Sequence, residues 1–452
     1  MQPFKFYLIA DPHYFASELG AYGKEYDEFM HYEQKCFAET QSINEAVFEY
    51  LEKADEADTV FICGDLVFNG ERESHNGFLK HLYKLKECGK KVYVITADHD
   101  FKQSRDECFA FDETGKTHPE NLPREELFDL YKDFGFGEAI AVDRQHLSYV
   151  AQLCDGVRLL ALNNDGASDG GRHFDEEHMA WIKEQCQSAR DDGNMMIAMN
   201  HYPILPGQPI FSIIGSTYQK DGKAVADLLA DEGVHIVFTG HMHMNSINEY
   251  VTEKGNRFYD VCTGSIIADP SVIRLVNIID DDTVDIKTID APDFEWDTKG
   301  KSCKQYLSDM FDQMIVNVLY DMAYDTERMM NKFHLDKKLK PVLKLIGKTL
   351  QKTTVGGLSR LLFFKADKSV RKVKVKDVAA ELVRVIFEGN QPFKEGTPMG
   401  DVILSVFSRL KPILKKIKAK GFNGEKADIY DLLKNSAGNY DIDDYNAVLR
   451  LK

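Results

Sequence analysis

Five short pieces of this chain carry side chains suited to holding metal ions. They are Asp11-Pro12-His13, Gly64-Asp65, Ala97-Asp98-His99-Asp100, Asn200-His201-Tyr202-Pro203 and Gly240-His241-Met242-His243. Each follows a short apolar run that reads as a buried strand: FKFYLIA, TVFIC, VYVIT, MMIAM and VHIVFT. Carboxylates and imidazoles gathered from several strand ends can hold two divalent cations side by side. Two ions about 3.5–4 Å apart form a clamp for in-line displacement at phosphorus. Mixed oxygen and imidazole ligands suit Mn, Fe or Zn better than Mg or Ca. A water shared by two cations is acidified toward neutral pH and can attack as hydroxide. The ions then offset the negative charge of the transition state. One Asp-x-His alone carries little information. Five pieces in order, each at a strand end, are specific. The glycine at 240 is expected to permit an unusual backbone turn before His241.

The elements that must position these residues are legible over residues 1–295. Strand-like runs alternate with helical stripes at Asn44–Ala54, Ser74–Cys88, Phe174–Arg190 and Lys223–Glu232. Such alternation predicts an α/β fold of mainly parallel sheets with covered faces. Ligands bind at the carboxyl ends of such strands, where the five pieces sit. After Gly255 consecutive strands (RFYDVCTG, SVIRLVNII, TVDIKTI) predict an antiparallel close. Residues 14–39 and 101–133 read as insertions that leave a motif directly and could overhang the site. From residue 301 the pattern is helical, over Lys304–Phe333, Lys340–Gln351, Val375–Phe387, Met399–Lys418 and Lys426–Leu433. Breaks at Gly356-Gly357, Gly389-Asn390 and Gly421-Phe422 separate these stretches, and an antiparallel all-α bundle is expected.

The charge supports two domains, 1–295 and 301–452. Residues 1–300 carry 27 basic and 55 acidic side chains, and residues 301–452 carry 29 and 18; the nets of −28 and +11 give the whole-chain −17. The acidic half argues against a nucleic-acid partner. The eight cysteines have no C-x-x-C pair or framework spacing, which reads as reduced thiols. No charged-then-apolar leader opens the sequence, and no apolar run reaches the roughly 18 residues of a membrane span. A cytoplasmic location is expected. Lys365–Lys376 and Lys411–Lys420 are lysine clusters, read first as a solvated face or a surface docked on the acidic half, and second as a membrane or nucleic-acid surface.

The ordered set Asp-x-His, Gly-Asp, Asn-His-Asp/Glu, His and Gly-His-x-His is the signature of the calcineurin-like metallophosphoesterases. The chain resembles that superfamily from about residue 4 to about residue 280. The resemblance implies a four-layer αββα sandwich with a dinuclear centre. It implies that Asp11, His13 and His243 hold the first ion, that Asp65 bridges, and that His201, His241 and Asp98 complete the second. His99 would stay unligated near the leaving group. Asp100 beside it would keep His99 protonated for donation to the leaving oxygen. The family has Gly-Asn-His where this chain has Ala97-Asp98-His99. Asp11, Asp65 and Asp98 then set −3 against the +4 of two divalent ions, which tightens metal binding and weakens the pull on an anionic substrate. Residues 162–186, with Trp181-Ile182, resemble the branch that includes class III cyclic-nucleotide phosphodiesterases and related phosphatases. The arginines of the phosphoprotein phosphatase branch have no clear counterpart; Arg72 and Arg105 are nearest.

These readings converge on metal-dependent hydrolysis of small phosphomonoesters or phosphodiesters, such as nucleotides. The alternatives are a catalytically silent metal-binding scaffold and a nuclease of the same superfamily.

Overall fold

The structure is a computed structural model that describes residues 2–213, 217–333, 335, 337–389, 393–415, 418–422, 424, 426–438 and 443–452. Two mixed sheets face each other. The first holds β1 (Phe4–Ile9), β2 (Thr59–Cys63), β3 (Lys91–Ile95), β13 (Val272–Ile278), β14 (Thr283–Asp290) and β17 (Ala447–Arg450), in the order β17-β14-β13-β1-β2-β3. The second holds β6 (Ala141–Asp143), β7 (Ser148–Cys154), β8 (Val157–Ala161), β9 (Met195–Met199), β10 (Ile236–Thr239), β11 (Ser246–Val251) and β12 (Arg257–Cys262), in the order β11-β12-β10-β9-β8-β7-β6. Alternate side chains of each strand point to opposite faces. Phe6 therefore meets Phe238 of the opposing sheet edge-on at 5.2 Å, while Tyr7 turns outward to Tyr50. Tyr50 belongs to α2 (Thr40–Lys53), which covers the first sheet with α3 (Arg72–Glu87). Ile182 and Cys186 of α5 (Glu176–Asp191) and Val225 and Leu229 of α6 (Gly222–Asp231) cover the second. The four layers are thus αββα.

Of the three strands expected after Gly255, β13 and β14 pair antiparallel, but β12 lies in the other sheet, parallel to β10 and antiparallel to β11. The chain passes over one place to lay β11 at the edge, then fills the gap with β12. Neither insertion is a plain solvated loop. Residues 14–39 contain α1 (Lys24–Met30), and residues 101–133 contain the hairpin β4 (Ala110–Asp112) and β5 (Gly115–Thr117) and the turn α4 (Leu127–Leu130). Phe15, Phe37, Phe68 and Phe111 bury one insertion against the other, with Phe37 stacked on Phe68 at 3.9 Å.

The C-terminal region is helical: α7 (Cys303–Tyr324), α8 (Thr326–Lys332), α9 (Lys340–Lys352), α10 (Val355–Leu361), α11 (Val375–Glu388), α12 (Pro398–Leu414) and α13 (Ile429–Gly438). A short hairpin, β15 (Lys418–Lys420) with β16 (Lys426–Asp428), precedes α13. The expected helix 304–333 is two, because the Asp325 side chain accepts from Arg328 N and starts a new one. Gly356-Gly357 lies inside α10 rather than breaking it. Thr354 caps that helix, and a Cβ at Gly356 would stand 3.0 Å from the Arg371 carbonyl, a tight fit. Lys418 and Lys426 begin the two hairpin strands and not helix ends. Asn390 of an expected break, and Lys416 and Ile417 of the expected helix Met399–Lys418 and of the second lysine cluster, lie outside the described residues. We propose the domain boundary near residue 300 as the joint between the two charge regimes. The chain crosses back over it at its end, where β17 pairs antiparallel with β14.

Arg274 ties that return in place. It is fully buried and donates to the Thr263 and Thr288 hydroxyls (3.1 Å each), Asn245 Oδ1 (3.2 Å) and the carbonyls of Cys262 (2.9 Å) and Asp444 (3.0 Å). Removing it leaves several buried acceptors unpaired, each at a cost of about 1–3 kcal/mol. Arg274→Met should therefore lower the melting temperature of the full chain by several degrees. An unchanged thermal melt would show that the bonds contribute nothing net.

Candidate metal centre

The five pieces end β1, β2, β3, β9 and β10, and the backbone of three of them is locally strained. Asp11 (φ 49°), His13 (39°), Asp65 (50°), His241 (67°) and His243 (49°) all occupy the left-handed region. Side chains rarely adopt it, and such residues cluster where function demands a fixed direction. Hydrogen bonds lock the turns. His13 N donates to the Asp65 carbonyl (2.9 Å), Ser265 Oγ donates to the Asp11 carbonyl (2.7 Å), and His241 N reaches both Asp11 oxygens (3.0 Å each). The glycine at 240 serves differently from the expectation. Its own φ is not left-handed; a Cβ there would collide with Asp11 Oδ2 and approach the Ala10 Cβ to 3.0 Å. A Cβ at Gly64 would stand 2.7 Å from His201 Nδ1.

These turns aim like-natured ligand atoms at one another. His13 Nε2 and His243 Nε2 are 3.1 Å apart, and Asp11 Oδ1 lies 3.5 Å from His243 Nε2. Asp65 Oδ2 lies 3.5 Å from His13 Nε2 and 3.2 Å from His201 Nε2, while Asp11 Oδ1 is 3.9 Å from His201 Nε2. Asp11–His13–His243 and Asp11–Asp65–His201 thus form two compact groups, each with ligand atoms within 4.8 Å of one another. All these residues are buried. His201 Nδ1 donates to the Cys63 carbonyl (2.7 Å), which directs its Nε2 lone pair inward, and that nitrogen has no hydrogen bond. A buried, unsatisfied imidazole nitrogen beside two carboxylates fits a metal ligand.

The electrostatics of His13, His241 and Asp65 agree. Burial, reinforced by the Lys35 ammonium, pushes His13 well below its ordinary value, and burial with the His201 charge takes His241 to about 4. Burial alone would raise Asp65, but His201, His99 and His13 outweigh it and hold the carboxyl well below its usual range. Neutral imidazole and ionised carboxylate are the ligand forms. For His201 burial is overcome by Asp65, which lifts it to about 10, so a metal ion there competes with a proton.

Four expected residues stand outside the two groups. The His241 ring lies edge-on to His201 (5.4 Å) and Tyr202 (4.8 Å). Asp98 Oδ1 accepts from the Tyr202 hydroxyl (2.8 Å), and its Oδ2 faces Arg172 Nη2 at 3.4 Å. His99 groups with His13 and Asp65, and its Nδ1 bonds the Phe68 carbonyl. Asp100 does not support His99. Its two oxygens accept from Val67 N (3.0 Å) and Ala97 N (2.8 Å), so it braces the strand ends. His99 is accordingly lowered, by burial first and by Lys35 next.

A family model described as calcineurin-like phosphoesterase matches residues 4–245, more than half of the sequence. The chain belongs to this family. No curated protein matches it. Solved structures similar to it include a dimetal phosphatase from Danio rerio (15% identity, 64% of this chain, 99% of that one, TM-score 0.44). Others are a purple acid phosphatase from yellow lupin, Lupinus luteus (13%, 65%, 52%, 0.41), and a 5'-nucleotidase precursor from Thermus thermophilus (10%, 78%, 60%, 0.36). The assignment rests on the family match.

Two cations beside the cluster carry no signal in the five motif pieces. Arg172 stacks on the Tyr202 ring at 4.2 Å beside Asp98. Its signal lay in residues 162–186, noted for their helix rather than their loop. Lys35, from the first insertion, is buried near His13 and His99. Arg72 and Arg105 are bound elsewhere, Arg72 to Glu120 and Glu126 and Arg105 to the His118 carbonyl. A further group, Asp143–His146–His178, is not a second centre of the same kind. The two rings stack at 4.2 Å and 4°, so an ion in the plane of one cannot lie in the plane of the other. His146 instead bonds Asp143 (2.6 Å) and faces Asp175, the cap of α5, which fixes the loop carrying Arg172.

Gly240→Ala should displace the Asp11 carboxylate without unfolding the sheets. Its metal content after loading with manganese should fall, with affinity down about 10–100-fold as for lost supporting contacts. Elemental analysis at wild-type stoichiometry would show that Asp11 tolerates the intrusion.

Proposed function

We propose that this phosphoesterase hydrolyses small phosphomonoesters or phosphodiesters, such as nucleotides, with two transition-metal ions (Mn, Fe or Zn). The observation that carries the reading is the buried convergence of Asp11, His13, Asp65, His201 and His243, with ligand atoms 3.1–3.9 Å apart and His201 Nε2 unsatisfied. Asp11, His13 and His243 would hold one ion, His201 with His241 and Asp98 the other, and Asp65 both. Once bound, the ions would supply an acidified water and positive charge for the phosphoryl oxygens.

The chain's own residues do the rest. His99 Nδ1 is engaged by the Phe68 carbonyl, so Nε2 is the atom that delivers a proton to the leaving oxygen. A lowered pKa makes the imidazolium a stronger acid, at the expense of its population at neutral pH. Arg172 and Tyr202 stand where they can orient a phosphate. The acidic half of the chain disfavours a long polyanion, which supports a small substrate over a nuclease role. The silent-scaffold reading draws on Asp98, which is engaged by Tyr202 and Arg172. Retention of His99 beside the cluster supports the enzyme instead. No helix among the described residues is long and apolar enough to cross a membrane, and all eight cysteines are unpaired, which supports placing the activity in the cytoplasm.

His99→Ala should keep wild-type metal content and slow turnover by about 10²–10⁴-fold. The loss should be smaller for a nitrophenyl ester, whose leaving group needs no proton. Equal losses for alkyl and nitrophenyl esters would assign His99 another role.

Asp98→Asn should free Arg172 from its carboxylate and add one positive charge at the rim. Inorganic phosphate should then inhibit roughly tenfold more strongly, equivalent to about 1.4 kcal/mol. If Asp98 also ligates the second ion, metal affinity should fall in the same variant. Titrating phosphate and metal side by side separates the two effects, and no change in either would remove Asp98 from the site.

A further inference from the structure

We propose that the C-terminal helical region docks on an anionic lipid surface through α9. This inference does not depend on the proposed activity. α9 is amphipathic in an unusual sense. Its inner face packs on α7, where Gly347 meets the backbone of Met322 and Ala323 so closely that a Cβ would stand 2.6 Å away. Its outer face is apolar rather than polar. Leu345 is 68% exposed, Val342 55% and Ile346 46%, and Leu339 just before the helix is 46% exposed. Lys340, Lys344, Lys348 and Lys352 flank this stripe, and from 337 to 352 there are six lysines and no carboxylate. Lys340 is engaged by Glu327 (2.7 Å). Among the described residues Lys344, Lys348 and Lys352 form no ion pair. Three outward aliphatic side chains with lysines beside them are what an interfacial helix presents to a headgroup layer.

A second feature of the same region has the same chemistry. Phe363 is 83% exposed, with a left-handed backbone (φ 55°) that turns it outward, and Leu361 is 63% exposed. The adjoining groove is lined by Arg360, Lys365, Arg371, Lys372 and Arg409 and by no carboxylate.

Charge selects the occupant. A second copy would bring a +11 region against a +11 region, which repels it. An anionic bilayer attracts that region and repels the −28 half, and so orients the molecule with the metal centre toward water. No described helix is long and apolar enough to cross the bilayer, so α9 lies on the surface rather than spanning it.

The test is sedimentation of the full chain with vesicles. Wild type should bind phosphatidylcholine vesicles containing about 30% phosphatidylglycerol and not pure phosphatidylcholine, and salt at roughly 0.5 M should release it. Leu345→Glu with Ile346→Glu should cut the partition coefficient at least about tenfold. Lys344→Gln with Lys348→Gln, which keeps good helix formers, should do the same with an unchanged thermal melt. Turnover of a soluble aryl phosphate should be unaffected by either pair. Wild type that fails to bind, binds both vesicle types equally, or binds undiminished in both variants overturns the proposal. So does a wild-type dimer in sedimentation velocity that Leu345→Glu dissociates.

Discussion

Two imidazole nitrogens 3.1 Å apart, with two buried carboxylates beside them, define the constraint on which this molecule is built. Two imidazole lone pairs at this distance repel unless a proton or a cation lies between them, and ionised carboxylates in a dry interior are costly. The scaffold enforces the cluster, and a cation would offset it. The scaffold does so with two face-to-face sheets whose parallel strands end at one rim. Left-handed turns at Asp11, His13, Asp65, His241 and His243 bend the side chains inward from those ends. Gly64 and Gly240 leave room for the neighbouring ligands to approach. The strain at the turns is met by the phenylalanine-rich core between the sheets and by bonds such as Ser265 to Asp11.

Most of this was legible because the ligands are local in sequence even though they are distant in the chain. An Asp-x-His after FKFYLI or a Gly-His-x-His after IVFT exposes strand, turn and ligand in a dozen residues. What stayed hidden depends on contacts made across the fold. Nothing near Gly240 says that the Asp11 carboxylate will sit against its α-carbon. Asp100 follows His99 directly, but a residue after a strand end faces away from its neighbour, and its oxygens go to Val67 and Ala97. The parallel pairing of β12 with β10 and the break of the first long helix at Asp325 were likewise invisible to apolar periodicity. Periodicity reports which face is buried and not which strand or cap meets it.

The C-terminal region is not an appendage to the four layers. Asp321 of α7 is buried and accepts from His31 (2.8 Å) and the Tyr32 hydroxyl (2.5 Å), while Tyr306 bonds Glu39 (2.5 Å) and Arg328 pairs with Glu28. All four partners lie in the first insertion, which also carries Lys35 toward His13 and His99. The helices therefore hold in place an element whose charge acts on His13 and His99. Burial of Tyr32 and its bond to Asp321 raise the hydroxyl well above its usual range, so it remains a donor at any pH at which the fold survives.

The aspartate at position 98, where the family carries asparagine, is explained by the same logic of local neutrality. As a free anion it would leave the site with −3 from Asp11, Asp65 and Asp98 and would repel a phosphate. Burial and Asp65 both act to raise its pKa, yet His99 and Arg172 prevail and keep it ionised. Arg172 stands 3.4 Å from its outer oxygen, and the Tyr202 hydroxyl donates to the other at 2.8 Å. Anion and guanidinium together present a neutral, hydrogen-bonding edge, close to what an asparagine amide would present. The loop that supplies Arg172 is anchored by Asp175, which caps α5 and faces His146. The departure from the family pattern is thus met within this chain by a pair, Asp98 with Arg172. An arginine from a different loop, held against the Tyr202 ring, offsets the charge that the aspartate brings to the cluster.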